Sequence, residues 1–195
     1  FGSFSMTRYH QELLRALQKF PAEGISVEDF RFPKLLFGKA SSLLFSRLQG
    51  WVLYPLPLRF RSTDIVDPLD ISQANLLPFC VRKKKIVSCH DLMPLRAFRG
   101  LLPVWEGIHE KSFMLLLDYM RLSDHIIADS QSTKTDLVEL GGLPADRISV
   151  VYNGLNETFQ PVAPEQQQSL RQQMRARLNL ASDAFVILHV GTATA

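Results

Sequence analysis

The chain has 195 residues, 46% of them hydrophobic, with a formal net charge of +3. That length supports one well-buried domain and a remnant, but not two full domains. The composition excludes a disordered chain, and a charge of +3 does not imply a nucleic-acid partner.

In chain order, Met6, Tyr9, Leu13, Leu14, Leu17 and Phe20 recur at helical spacing. They predict a helix with Ser5 as its cap and Pro21 as its stop. A short loop with one glycine, Gly2-Ser3, precedes it. A helix opening straight after a loop implies a further strand ahead of it. Ile25, Val27, Phe30 and Phe32 alternate, as in a strand, and residues 39–48 read as a helix. Residues 51–62 mix prolines with apolar side chains and give no clear period.

From Asp64 onward the pattern sharpens. Asp64-Ile65-Val66-Asp67 reads as a short buried strand, and residues 85–89 as a buried strand ending at His90-Asp91. Residues 106–122 predict a helix that turns Phe113, Leu116, Leu117 and Met120 inward. His125-Ile126-Ile127-Ala128 is a further strand. Ser130 or Ser132 caps the helix after it, and Gly141-Gly142 ends that helix. Residues 148–151 form another strand. Strands alternating with helices predict an α/β fold: a Rossmann-like parallel sheet with helices on both faces.

Residues 157–165, with Pro161 and Pro164, read as a linker. The helix after it sets Leu170, Met174 and Leu178 on one face. Residues 185–190 then read as a strongly buried strand ending at Gly191-Thr192. The expected division is a domain over 1–160, its first strand missing, and the truncated start of a second over 161–195.

Cys80 and Cys89 have neither CxxC spacing nor a His/Cys cluster, which predicts two free thiols and no zinc site. No apolar run reaches the ~18 residues of a membrane span, and no signal-peptide pattern opens the chain. His10, His109 and His125 read as surface or strand-edge residues.

In an open parallel sheet, ligands bind outside the carboxyl ends of the strands. His90-Asp91, Ser130, Asn153-Gly154 and Gly191-Thr192 all follow strands, so they are the candidate site residues. Each has a plainer role open to it. His90 can simply bond backbone, Ser130 can be only an N-cap, and Gly154 can be a turn glycine with positive φ. The basic run Arg82-Lys83-Lys84-Lys85 precedes its strand and so belongs to the opposite edge. It reads as a solvated loop, with contact to anionic lipid as the rival.

Three stretches follow one another in an informative order: 86–95 (IVSCHDLMPL), 128–137 (ADSQSTKTDL) and 148–155 (ISVVYNGL). Together with Phe159-Gln160-Pro161, Val190-Gly191-Thr192 and the opening Gly2 loop and Arg8-Tyr9 helix, they resemble the family 4 retaining glycosyltransferases of the GT-B fold. The resemblance implies two facing domains, the first binding the acceptor and the second a nucleotide-sugar donor, with no metal or other cofactor. It implies that His90 points at the transferred sugar or the acceptor hydroxyl. Gly2 and Ser3 would approach donor phosphate or acceptor, and Gly191 and Thr192 would begin the donor-phosphate loop. A glycan or lipid-linked acceptor, a cytoplasmic location and peripheral membrane contact are further expectations from family habit. Asp67 departs from the family, which commonly has His after that strand. The rivals are a nucleotide-sugar epimerase or phosphorylase-like enzyme on the same scaffold, and a non-catalytic module binding through residues 82–85.

Overall fold

The computed structural model describes residues 4–30, 55–103, 108–155 and 160–189. Chain contacts divide it into two compact units, Phe1–Gly154 and Leu155–Ala195.

The first unit opens with helix α1, Phe4–Lys19. Its start at Phe4 puts Ser5 inside the helix rather than at the cap. His10 sits 3.0 Å from an Asp29 carboxylate oxygen and is half-buried, not freely exposed. Of the expected strand over 25–32, residues 25–30 form none, since among the described residues no neighbouring strand supplies them with ladder bonds, and residues 31 and 32 lie outside the described residues. The expected helix over 39–48 lies outside the described residues.

A parallel four-stranded sheet forms the centre, in the order β1 (Ile65–Val66), β2 (Lys84–Cys89), β3 (His125–Ala128) and β4 (Ile148–Val150). The register sets Ile86 against His125 and Ile126 against Ile148. Among the described residues β1 stands at the sheet's edge, and Ile65 is 54% exposed rather than buried. Its ladder continues past the strand through Ser88 N–H to the Pro68 carbonyl at 3.0 Å.

Alternation along β2 and β3 covers both faces. Val87, Cys89, Ile126 and Ala128 point to one side, into the main core. Ser88 points to the other side, where it is buried and bonds Tyr9 of α1. On the first side the sheet packs against a 3-10 helix, Ile71–Phe79, against α2, Met93–Phe98, and against α3, Glu110–Met120. Phe113, Leu116, Leu117 and Met120 recur at i, i+3, i+4 and i+7 and fill one face of α3, and all four are buried. Arg96 Nε of α2 lies 3.4 Å from Asp136 of α4, Gln131–Glu139, so the two helices are joined by an ion pair.

Two glycines end α4. An added Cβ at Gly141 would meet the Leu137 carbonyl oxygen at 2.6 Å, and Gly142 has φ +62°. Neither place suits a larger residue. Arg121, just past α3, donates to the Gly141 and Gly142 carbonyls at 2.7 and 2.9 Å. These are loop carbonyls just past the helix; the helix's own last carbonyls, at Asp136, Leu137 and Val138, accept from Leu140, Leu143 and Gly142 N–H.

The basic run begins in the turn ahead of β2 and lies at the amino edge. Lys83 donates to the Arg61 and Thr63 carbonyls, and Lys84 lies 3.3 Å from Asp124.

The second unit contains α5, Pro164–Arg177. Leu170, Met174 and Leu178 are exposed at 40%, 47% and 59%. Residues 184–189 form no strand, and Phe185, Ile187 and Leu188 are exposed above 80%. An apolar run becomes a buried parallel strand only beside partner strands, and among the described residues none lies there. Among the described residues no helix is long and apolar enough to cross a membrane.

Candidate functional site

The carboxyl ends of β1, β2, β3 and β4 deliver, in turn, Asp67 and Leu69, His90 and Asp91, Asp129 and Ser130, and Asn153. The sheet rule therefore gathers these loops along one edge.

His90 sits centrally. Its Nε2 is 3.0 Å from the Leu69 carbonyl oxygen, and its Nδ1 is 3.3 Å from Asp129 Oδ2. The carbonyl can only accept, so Nε2 carries a hydrogen. The Tyr9 ring meets His90 edge-on, with centroids 4.7 Å apart and planes at 80°.

Asp129 ties the next two loops to His90. Its Oδ1 accepts from the Thr133 hydroxyl at 3.1 Å, and Asn153 Nδ2 lies at the 3.5 Å limit from its Oδ2. The Thr133 hydroxyl also lies 3.0 Å from the His90 carbonyl oxygen. It has one proton for two acceptors, so only one of these bonds holds at a time.

Ser130 is the N-cap of α4. It has extended backbone angles, and its hydroxyl accepts from Thr133 N–H at 3.1 Å. Ser130→Ala is therefore expected to cost about 1 kcal/mol of stability, read as a lower urea midpoint at unchanged slope. No change in midpoint would remove the capping role.

Asp91 is exposed, and its Oδ1 accepts from Met93 N–H at the start of α2. Gly154 does not have the positive φ expected of a turn glycine, and nothing lies within 4 Å of where a Cβ would stand. Gly2, Ser3, Gly191 and Thr192 lie outside the described residues. The structure thus brings together His90, Ser130 and Asn153, and sets Asp91 and Gly154 nearby without a bond to them.

Tyr9, Asp67, Ser88, Asp129 and Thr133 complete the cluster, and none was among the candidates. Asp129 and Thr133 stand inside a stretch already singled out, so their position after β3 could have found them. Packing around the Asp67 carboxyl pushes its pKa up to about 6, partly offset by a hydrogen bond from Ser88. Burial first, then the Asp67 charge, raises the Tyr9 hydroxyl. Over the whole residue Asp67 is exposed. The crowding around the carboxyl governs its ionisation, and the exposed remainder reduces its energetic weight.

Asp67 should make stability pH-dependent. The folded protein holds this proton more tightly than the unfolded chain, whose value is 3.8. Stability is therefore lost as pH rises from about 4 to about 6, and the penalty is complete above that. Asp67→Asn is expected to raise the midpoint of unfolding at pH 8, by roughly 1 kcal/mol or less after solvent screening, and to leave it unchanged near pH 4. An equal effect at both pH values would show that ionisation is not the cause.

A parallel sheet with helices packed on it, its His90 cluster on the carboxyl edge, is a Rossmann-like domain. The sequence model of Glycosyltransferase Family 4 matches residues 7–159, and the chain belongs to that family. A search of curated proteins finds no match.

Proposed function

We propose that this chain supplies the acceptor side of a retaining glycosyltransferase that moves a sugar from a nucleotide-sugar donor to a glycan or lipid-linked acceptor. The observation that carries this reading is the charge of the ligand edge. Asp67, Asp91 and Asp129 stand there at three successive strand ends. The buried Cys89 thiol senses the same field. Burial raises its pKa most, and Asp91, Asp70, Asp129 and Asp136 raise it further.

Carboxylates accept hydrogen bonds, and sugar hydroxyls donate them. A diphosphate about 5 Å from one carboxylate would instead meet a repulsion of about 3 kcal/mol at an effective dielectric near 20. The edge therefore suits a hydroxyl-rich acceptor better than a donor phosphate. His90 sits among these carboxylates, where an acceptor hydroxyl would lie.

The test is nucleotide release by the full-length protein from a panel of nucleotide sugars, with and without glycan acceptors. Release that requires an acceptor, with the product linkage keeping the donor's anomeric configuration, supports the proposal. No release from any donor overturns it, as does donor interconversion without transfer. An inverted linkage removes retention alone.

A further inference from the structure

Beside the His90 cluster lies a cavity that shares only Asp91 with the reading above. The His90–Leu69 hydrogen bond clamps the loop after β1 to the loop after β2. The next residues along, Asp70 and Asp91, both line this cavity of about 190 Å³. Each turns one carboxylate oxygen to a backbone amide: Asp70 Oδ1 accepts from Ser72 at 2.8 Å, and Asp91 Oδ1 from Met93 at 3.0 Å. Among the described residues no cation pairs with either carboxylate. The rest of the wall is largely apolar, with Ile71, Ile108 and Phe113 prominent in it.

The cavity therefore has two chemically different parts. Its floor offers only apolar contact, and its rim offers hydrogen-bond acceptors carrying negative charge. A pyranose ring has the matching two aspects, a face of C–H groups and a girdle of hydroxyl donors. The space suits one ring rather than a chain of them. A ring bearing a carboxylate or phosphate would meet two like charges at the rim.

We propose that this cavity is a second acceptor subsite, which seats an uncharged sugar ring next to the one that receives the transferred sugar and selects against acidic sugars. The assignment to the acceptor rests on the transferase reading. Sugar binding in the cavity does not.

The test is a titration of the full-length protein, with its isoleucine δ1 methyls labelled for NMR, by two probes. These are methyl β-D-glucopyranoside and the corresponding methyl glucuronide, which differ only in a C6 carboxylate. The glucoside should shift the Ile71 and Ile108 methyls, and the glucuronide should bind about tenfold more weakly, a difference of about 1.4 kcal/mol. Asp70→Asn with Asp91→Asn keeps an oxygen for each backbone amide and removes the charge, so the glucuronide should then approach the glucoside. Ser72→Trp places a bulky ring at an exposed lining position and should abolish the glucoside shifts.

The proposal is overturned if the glucoside moves neither methyl, if both sugars bind alike to the unaltered protein, or if Ser72→Trp leaves the shifts intact. Nucleotide release without these shifts would remove the subsite and keep the transferase. Shifts in a protein that releases no nucleotide would keep the sugar site and remove its assignment to an acceptor.

Discussion

His90→Ala is expected to lower acceptor-dependent nucleotide release by about a hundredfold, measured as kcat/KM for the acceptor. The ring holds three loops together. It donates to the Leu69 carbonyl after β1, stands on β2's own exit, and meets Asp129 after β3. Without it the Leu69 carbonyl loses its donor and Tyr9 loses the ring it packs against edge-on. Loops displaced by even 1 Å are enough for a loss of that size. His90→Gln separates holding from chemistry, since its amide can still donate to Leu69. If Gln restores most of the rate, the ring acts by positioning. If Gln stays as low as Ala while the fold is intact, the imidazole itself serves the acceptor. Full activity in His90→Ala would remove the residue from the site.

Leu117→Ala is expected to cost about 3 kcal/mol of stability. Leu117 is 1% exposed at the centre of α3, within the cluster that includes Val87, Ile126 and Leu77. Truncation there loses the transfer energy of the side chain and leaves a cavity that close-packed neighbours only partly fill. Leu115, two residues earlier, is 40% exposed. Leu115→Ala should stay within about 0.5 kcal/mol. Urea midpoints of the two variants decide the matter: similar losses would mean that α3 does not bury the face described.

The elements that were legible in the sequence are those whose signal is local. β2, β3 and β4 are apolar runs closed by polar residues, α3 carries a helical period, and α4 has a Ser cap and a Gly-Gly stop. The two strands that did not form share one cause. Residues 25–30 and 184–189 have strand-like composition, but a strand exists only beside a partner, and composition does not say whether one is there. The helix Ile71–Phe79 escaped for a different reason. It has little amphipathic period and contains Pro78, and it is held by the Asp70 cap and by burial of Ala74 and Leu77.

The site divides in the same way. His90, Ser130 and Asn153 follow strands, and the sheet-edge rule finds them. Tyr9 arrives from a helix almost eighty residues away along the chain from Ser88, its bonding partner. Leu69 contributes only a backbone carbonyl, which leaves no trace in residue type. The distinction between Asp91 and Asp129, both carboxylates after a strand, comes from backbone geometry. One faces a helix start and the other faces His90.

Arg121 has an influence well beyond the two carbonyls it grips. α4 runs from the ligand edge, where Ser130 and Thr133 stand, back to the opposite edge, where Gly141 and Gly142 are held. Nine residues of helix make a rigid strut of about 13 Å. A strut pinned at its far end cannot slide along its axis, so the height of Thr133 beneath the His90 carbonyl is gauged from the back of the sheet. The alignment of the ligand edge is thus partly entrusted to an arginine that no ligand there could touch.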